Sequence, residues 1–330
     1  MKAHSRTFFL LFVLPVLINN SGVVLAQTPL PPTRTSGIPI FGPHPDDAEL
    51  CCSGVMLQAK ARGEVVHVVI LTNGDAFTEA VAGLTRKPAD KLGATDYLAL
   101  SRSRQLQSQR SLAVLGLKPS ALILLGYPNG GVDGGLDAIY HGTGAVPFTN
   151  PFTQKNETYA LVQQDYHTAK HGSAAPYPRD AVLDDIAEII RTFKPRQIYV
   201  TTGADGHPDH STAFFFVRDA ILKTGYHGEF YTYLIHAEEG LQWPWPSGVT
   251  PNSPFEPPHA ENQQVRFTLP WPPDKRIFIT AAQAHLKLLA IRCHRLTMSH
   301  PSADAAHEAY MESFVKSGEV FWPSARSNHE

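Results

Sequence analysis

Short apolar runs alternate with longer stretches in which apolar residues recur every three or four positions. Gly37 to Phe41 is a short apolar run, and Val65 to Leu71 is a β-branched one. Both predict buried strands. Ala121–Leu125, Gln197–Thr201 and Phe230–Ile235 repeat the pattern. Between them, Leu50, Gly54, Leu57 and Ala61 predict one face of a helix over Ala48–Ala61, ended by Gly63. A second helix is expected over Leu98–Leu115, closed by Gly116. Val182, Ile186, Ile189 and Phe193 stripe a third, which stops before Pro195. Ala213, Phe216, Val217, Ala220 and Ile221 mark a fourth, and Ala282, Leu286, Leu289 and Cys293 a fifth. This alternation predicts an α/β fold: a Rossmann-like, mostly parallel sheet with helices on both faces. A single domain over residues 37–330 holds all of it. Long irregular insertions near 133–178 and 243–261 interrupt it, and insertions of that length often serve a binding site.

The polar residues that matter follow the strands. His44-Pro45-Asp46-Asp47 follows the first and Asn73-Gly74-Asp75 the second. Tyr127 to Gly131 follows the third, and Asp205 to His210 the fourth. In open parallel sheets, ligands bind at the carboxyl edge of the strands. The two His-Pro-Asp stretches can therefore meet in space. A residue before proline is biased to extended backbone, and proline is favoured at the first helical position. Each leading histidine is thus expected at a strand–helix junction, with the residue three later facing the same way.

The chemistry these residues could carry is hydrolytic. His44, Asp47 and His210 are the expected metal ligands, suited to Zn2+ or to another divalent cation such as Fe2+. Asp46 is the spare carboxylate, expected as general base. His207 is expected to stabilise an oxyanion and to protonate a leaving amine, with Asp209 orienting it. Either stretch alone is a weak signal, because aspartate commonly caps helices. The pair, each directly after an apolar strand, is much stronger. His67, His141, His167, His171, His259, His300 and His307 have no matching spacing and are assigned surface or core roles.

Composition narrows the class. The 330 residues are 43% hydrophobic and 18% charged, enough apolar content for a large core. A net charge of −2 with no basic stripe argues against a nucleic-acid partner. Lys2, Arg6, the apolar run Phe8–Ile18 and Val24-Leu25-Ala26 read as a signal peptide over residues 1–26. Residues 27–36 then form a linker, the protein is expected to be exported, and no stable membrane span remains. Cys51, Cys52 and Cys293 are too few for a disulfide scaffold and are read as free thiols.

Together, Phe41 to Leu50, Thr72 to Asp75, Arg104 to Gln107, Leu125 to Gly131, Gly206 to His210 and Lys287 to His294 closely resemble the LmbE/PIG-L family of metal-dependent de-N-acetylases. The resemblance covers roughly residues 38–297 and implies an LmbE-like fold. It further implies removal of acetyl from an N-acetylated amino sugar or glycoconjugate, with N-acetylglucosamine-containing molecules as the main substrates. By resemblance the zinc ligands fall on His44, Asp47 and His210, the base on Asp46, and the transition-state histidine on His207. Gln107 and Asn129 stand where the family has acidic residues, and Asp205 where some thiol-pathway members have tyrosine. Arg104 is either a substrate-binding residue for sugar hydroxyls or phosphate, or a solvent-exposed helix arginine. Asn129 either contacts substrate or simply forms its Asn-Gly turn. Trp243 and Trp245 either stack on a sugar or pin their loop. Two further readings stay open: the same site acting on another N-acyl amide, or a secreted carbohydrate-binding protein with a vestigial metal site.

Overall fold

The computed structural model describes residues 37–142, 148–260 and 265–324. The expected signal peptide and linker lie outside the described residues. In chain order the elements begin with β1 (Gly37–Gly42), α1 (Asp47–Ala61), β2 (Val65–Thr72), α2 (Thr78–Thr85), α3 (Ala94–Val114) and β3 (Leu122–Tyr127). Then come α4 (Leu136–His141), α5 (Tyr166–His171), α6 (Arg179–Phe193), β4 (Gln197–Thr201), α7 (Pro208–Thr224) and β5 (Glu229–Tyr233). The rest comprises β6 (Leu241–Gln242), β7 (His259–Ala260), β8 (Lys275–Phe278), α8 (Ala281–Arg292), α9 (Pro301–Glu312) and β9 (Gly318–Pro323).

Seven strands form one sheet in the order β3-β2-β1-β4-β5-β9-β8. The first five run parallel, whereas β9 pairs antiparallel with β5 and β8 antiparallel with β9. The mostly parallel sheet is as predicted. The antiparallel edge was not anticipated, because β8 alternates half-buried with exposed residues and is only four residues long.

Strand alternation divides the core into two layers. On one face Ile38, Ile40, Val66, Val68 and Ile70 pack with Leu50, Val55 and Met56 of α1 and Ile291 of α8. On the other, Phe41, Val69, Leu71, Ile198 and Val200 pack with the predicted stripes of α6 and α7. The stripe expected for α8 is wrong. Ala282 and Leu289 are exposed, and the buried face carries Ala284, Lys287 and Ile291, with His294 just beyond. Lys287 pairs with Glu319 at 2.9 Å and His294 with Glu49 at 3.2 Å, all four groups buried. Charges buried as pairs are invisible to a reading that sends every lysine to solvent.

Both insertions include regular structure. The first carries α4 and α5, and the second is tied down by the β6–β7 pair. Trp243 stacks on Phe255 and donates its indole N–H to Leu234 O at 3.0 Å, while Trp245 stacks on His259. The tryptophans pin the loop to the body. The three cysteines are free thiols.

Candidate metal centre

β1 and β4 are central neighbours, joined at the Ile40–Tyr199 register. The chain passes from β1 to β2 on one side, and β4 adds to the other side, so the sheet order reverses between them. The corner after β1 and the corner after β4 therefore open into one crevice. His44 Nδ1 and His210 Nε2, 166 residues apart in sequence, stand 2.9 Å apart.

The two corners are not built alike. At the second, His207 caps α7, Pro208 takes the first helical position, and the His207 Nδ1 accepts the Asp209 backbone N–H at 3.1 Å. At the first, α1 does not begin until Asp47, and Pro45 stays outside it. Asp46 carries φ 133°, a conformation that strains any residue with a Cβ. That kink lets Asp47 turn back, and its Oδ2 accepts the His44 backbone N–H at 2.8 Å.

Asp47 Oδ2 lies 3.7 Å from His44 Nδ1 and 3.5 Å from His210 Nε2. With the 2.9 Å separation of the two nitrogens, these atoms form a triangle. Ligands about 2.1 Å from a tetrahedral ion stand roughly 3.4 Å from one another, so the triangle fits such an ion. His207 is also near, its ring 4.9 Å from His44 and 4.8 Å from His210. His44, His207 and His210 form a looser set, with ligand atoms within 4.8 Å of one another. The tighter triangle with Asp47 is the better metal cradle, and it leaves His207 at its side. Electrostatics favour a cation as well. Asp46, Asp47, Asp205 and Asp209 are all buried here, against the single guanidinium of Arg104. Burial, and then the neighbouring Asp46, push the Asp47 carboxyl well above its usual range. Burial, and then the neighbouring His44, hold the His207 imidazole neutral far below its usual range.

The Asp209 carboxylate, contrary to expectation, makes no hydrogen bond to His207, which takes only the Asp209 backbone N–H. Its Oδ2 lies 3.4 Å from His44 Nε2 and accepts the N–H groups of Gly130 and Gly131 at 3.2 and 3.0 Å. Its Oδ1 accepts the Leu136 N–H at 2.8 Å. Asp209 points away from the His207 ring because it sits inside the first turn of α7, under the Gly130–Gly131 loop. It therefore backs the outer nitrogen of His44. Asp205, which the sequence reading left without a role, stands 3.3 Å from the outer nitrogen of His210. Its own oxygens accept the N–H groups of His207, Ile235 and His236. Each of the two histidines thus has one nitrogen in the triangle and a carboxylate behind the other, as metal-binding imidazoles usually do.

Arg104 is not a solvent-exposed helix arginine. It is buried, and it donates to Asp46 Oδ2 at 2.8 Å, Pro45 O at 2.7 Å and Gly74 O at 2.8 Å. The guanidinium clamps the strained corner and aims the Asp46 carboxylate. The Asn129 amide is likewise engaged. With its nitrogen toward Asp209 Oδ2 (3.1 Å), its oxygen accepts the Ala76 N–H at 2.9 Å. Both side chains line the cleft, with their polar atoms turned to protein partners.

The cleft has a volume of about 730 Å³ and takes in His44, Asp46, Asp47 and His207. Phe77, Phe152, Ile235, Leu296 and Met311 give it an apolar wall. His236, His307 and Tyr310 also reach it, and none had been selected from sequence. His236 stacks on Tyr310 with Nδ1 3.2 Å from its hydroxyl, and its ring stands 4.9 Å from that of His210. It follows β5, so the strand-end rule applied to a fifth strand would have found it. His307 and Tyr310 sit on α9, for which no element was predicted.

Residues 40–221, which span both corners, match the family described as PIG-L, GlcNAc-PI de-N-acetylase. The chain belongs to this family. It is 25% identical over 201 residues to 1D-myo-inositol 2-acetamido-2-deoxy-alpha-D-glucopyranoside deacetylase of Nocardia farcinica. That match covers 59% of this chain and 55% of the relative, so it spans about half of the relative's length. Among solved structures, the 4-carboxy-2-hydroxymuconate hydratase GalB of Pseudomonas putida KT2440 is similar at TM-score 0.50 and 14% identity, over 90% of this chain and 99% of that one. The N,N'-diacetylchitobiose deacetylase of Pyrococcus horikoshii has a TM-score of 0.49 at 16% identity, over 88% of this chain and 84% of that one. At such identity the likeness to the hydratase is one of fold. The reaction of this family member has to be argued from its site.

Proposed function

We propose that this protein is a metal-dependent amidohydrolase that removes acetyl from an N-acetylated amino sugar or glycoconjugate. The reading is carried by one observation: the Asp46 carboxylate, held by Arg104, stands beside a His44–Asp47–His210 triangle that fits a divalent ion, in a substrate-sized cleft. Membership of a de-N-acetylase family supports it. His44, Asp47 and His210 would hold the ion, with zinc the best fit to two imidazoles and a carboxylate. When bound, it supplies Lewis acidity to water and to the amide carbonyl.

The chain's own groups divide the remaining work. Asp46 takes a proton from the attacking water as its oxygen adds to the carbonyl carbon. His207 is a neutral donor: its Nδ1 is occupied by the Asp209 N–H, so the proton sits on Nε2. That N–H stabilises the developing oxyanion. Proton delivery then falls to Asp46, which returns its proton to the nitrogen as the C–N bond breaks, releasing acetate and the free amine. Asp209 and Asp205 keep the two ligand rings aimed, and Arg104 keeps Asp46 aimed.

The test is acetate release from N-acetylglucosamine conjugates by zinc-loaded protein, beside chelated protein and Asp46→Ala. Release in the first alone is expected. Equal release in all three would refute the proposal, as would sugar binding without any turnover. Export belongs to the same proposal, and a mature protein whose first residue is Gln27 is its expected signature.

A further inference from the structure

A second group of imidazoles and carboxylates stands outside the cleft. α5 carries His167 and His171 four residues apart, so both rings leave one side of the helix, 4.5 Å between centroids. α6 faces them with Asp185 and Glu188. His167 Nδ1 is 2.8 Å from Asp185 Oδ1, and His171 Nε2 is 3.0 Å from Glu188 Oε2. One ligand atom from each of His167, His171 and Asp185 lies within 4.8 Å of the others. Asp185 is buried, and its second oxygen accepts the Tyr127 hydroxyl at 2.7 Å. α5 is fixed at both ends. Asp165 caps it by accepting the Thr168 N–H, and Gly172 closes it in the left-handed conformation. The imidazole pair is therefore presented by an anchored turn.

We propose that His167, His171 and Asp185 form a second divalent-cation site, with Glu188 placed to complete it. Two imidazoles and carboxylate oxygens select zinc, copper or nickel over magnesium or calcium. The Lys170 ammonium lies 3.7 Å from Glu188 in a half-exposed pair. Such pairs are weak and readily give way. The site would fasten the first insertion to α6. Through Asp185 and Tyr127 it would also brace the end of β3, just before the Asn129–Gly131 turn that lines the cleft. A half-exposed His171 leaves the ion open to exchange, so occupancy would follow the free metal concentration.

The experiment titrates chelator-stripped full-length protein with Zn2+ by calorimetry, with Co2+ absorption as a second readout. The wild type is expected to take up two equivalents. His171→Ala, at a half-exposed position that does not threaten folding, should take up one and keep only the part of the Zn2+-induced rise in Tm that the cleft ion supplies. His210→Ala should also take up one, keeping only the part that the α5–α6 site supplies. Undiminished uptake in His171→Ala, whether of one equivalent or of two, overturns the proposal. A single equivalent that disappears in His210→Ala overturns it while leaving the cleft site standing. The converse pattern would remove the cleft site and leave this one.

Discussion

Arg104→Met is the sharpest perturbation of the site. The methionine fills much of the stem's volume but supplies none of the three donor contacts to Asp46, Pro45 and Gly74. Removing one partner of a buried ion pair costs about 3–5 kcal/mol, because the other charge stays buried without compensation. Each orphaned carbonyl adds about 1–3 kcal/mol, less where water can enter from the cleft. A total loss of about 5 kcal/mol is expected, the low end of that sum because the cleft admits water, which lowers Tm by about 10 °C in a chain of this size. The corner also loses what holds Asp46 in its strained conformation. A misplaced base of this kind lowers turnover about 100-fold. The loss should fall on kcat, whereas direct substrate binding by Arg104 would raise KM with kcat unchanged. Arg104→Lys keeps a charge but offers one point in place of a fork, so it should recover little. Gly74→Ala reaches the same contact from the other side. Its Cβ would stand 2.2 Å from Arg104 Nη1, at φ +60°, and should reproduce the kcat defect. The assay pairs urea denaturation with steady-state acetate release. An Arg104→Met protein within about 1 kcal/mol and about threefold of wild type, the scale of ordinary surface substitutions, would refute this role.

Asp209→Ala strips the Gly130, Gly131 and Leu136 N–H groups of their acceptor and removes the carboxylate behind His44. It should destabilise the fold by about 3 kcal/mol and weaken Zn2+ binding in the cleft about 10–100-fold; calorimetry showing undiminished cleft affinity would sink that assignment. His67 is buried with both ring nitrogens lacking partners, stacked 3.7 Å from Phe193, and burial lowers its pKa to about 4. The unfolded imidazole protonates near 6.5 while the folded one stays neutral until about 4, so the unfolded state binds more protons in that window. Stability should therefore fall by about 3 kcal/mol as pH drops from 7 to 4, relative to His67→Leu, which lacks this term. Parallel pH–stability curves for the two proteins would contradict it.

Much of the fold was legible because its signals are local. β2 and β4 are β-branched or apolar runs, and α6 and α7 carry continuous stripes that end up buried. The edge β8 and the inward face of α8 were not, since their burial depends on Lys287–Glu319 and His294–Glu49, partners far apart in sequence. The site divides the same way. Spacing and strand-end position brought out His44, Asp46, Asp47, His207 and His210, and the structure gathers the first four in one cleft with His210 buried directly behind His44. It misassigned the Asp209 carboxylate, because side chains two residues apart in a helical turn do not face each other. It overlooked Asp205 and His236, whose contacts exist only once β5 lies beside β4. It took Arg104 for a surface or ligand group, since nothing local tells a buried clamp from an exposed side chain.

The central β1–β4 pairing has a consequence for biosynthesis. The first half of the chain emerges with His44 and Asp47 but without the second imidazole, which lies 166 residues further on. If the proposed triangle holds the ion, neither half alone would complete it, and capture would wait until α7 has formed and docked. Metal uptake during refolding would then be a clock for the slowest long-range step, and a truncated product would lack the proposed site.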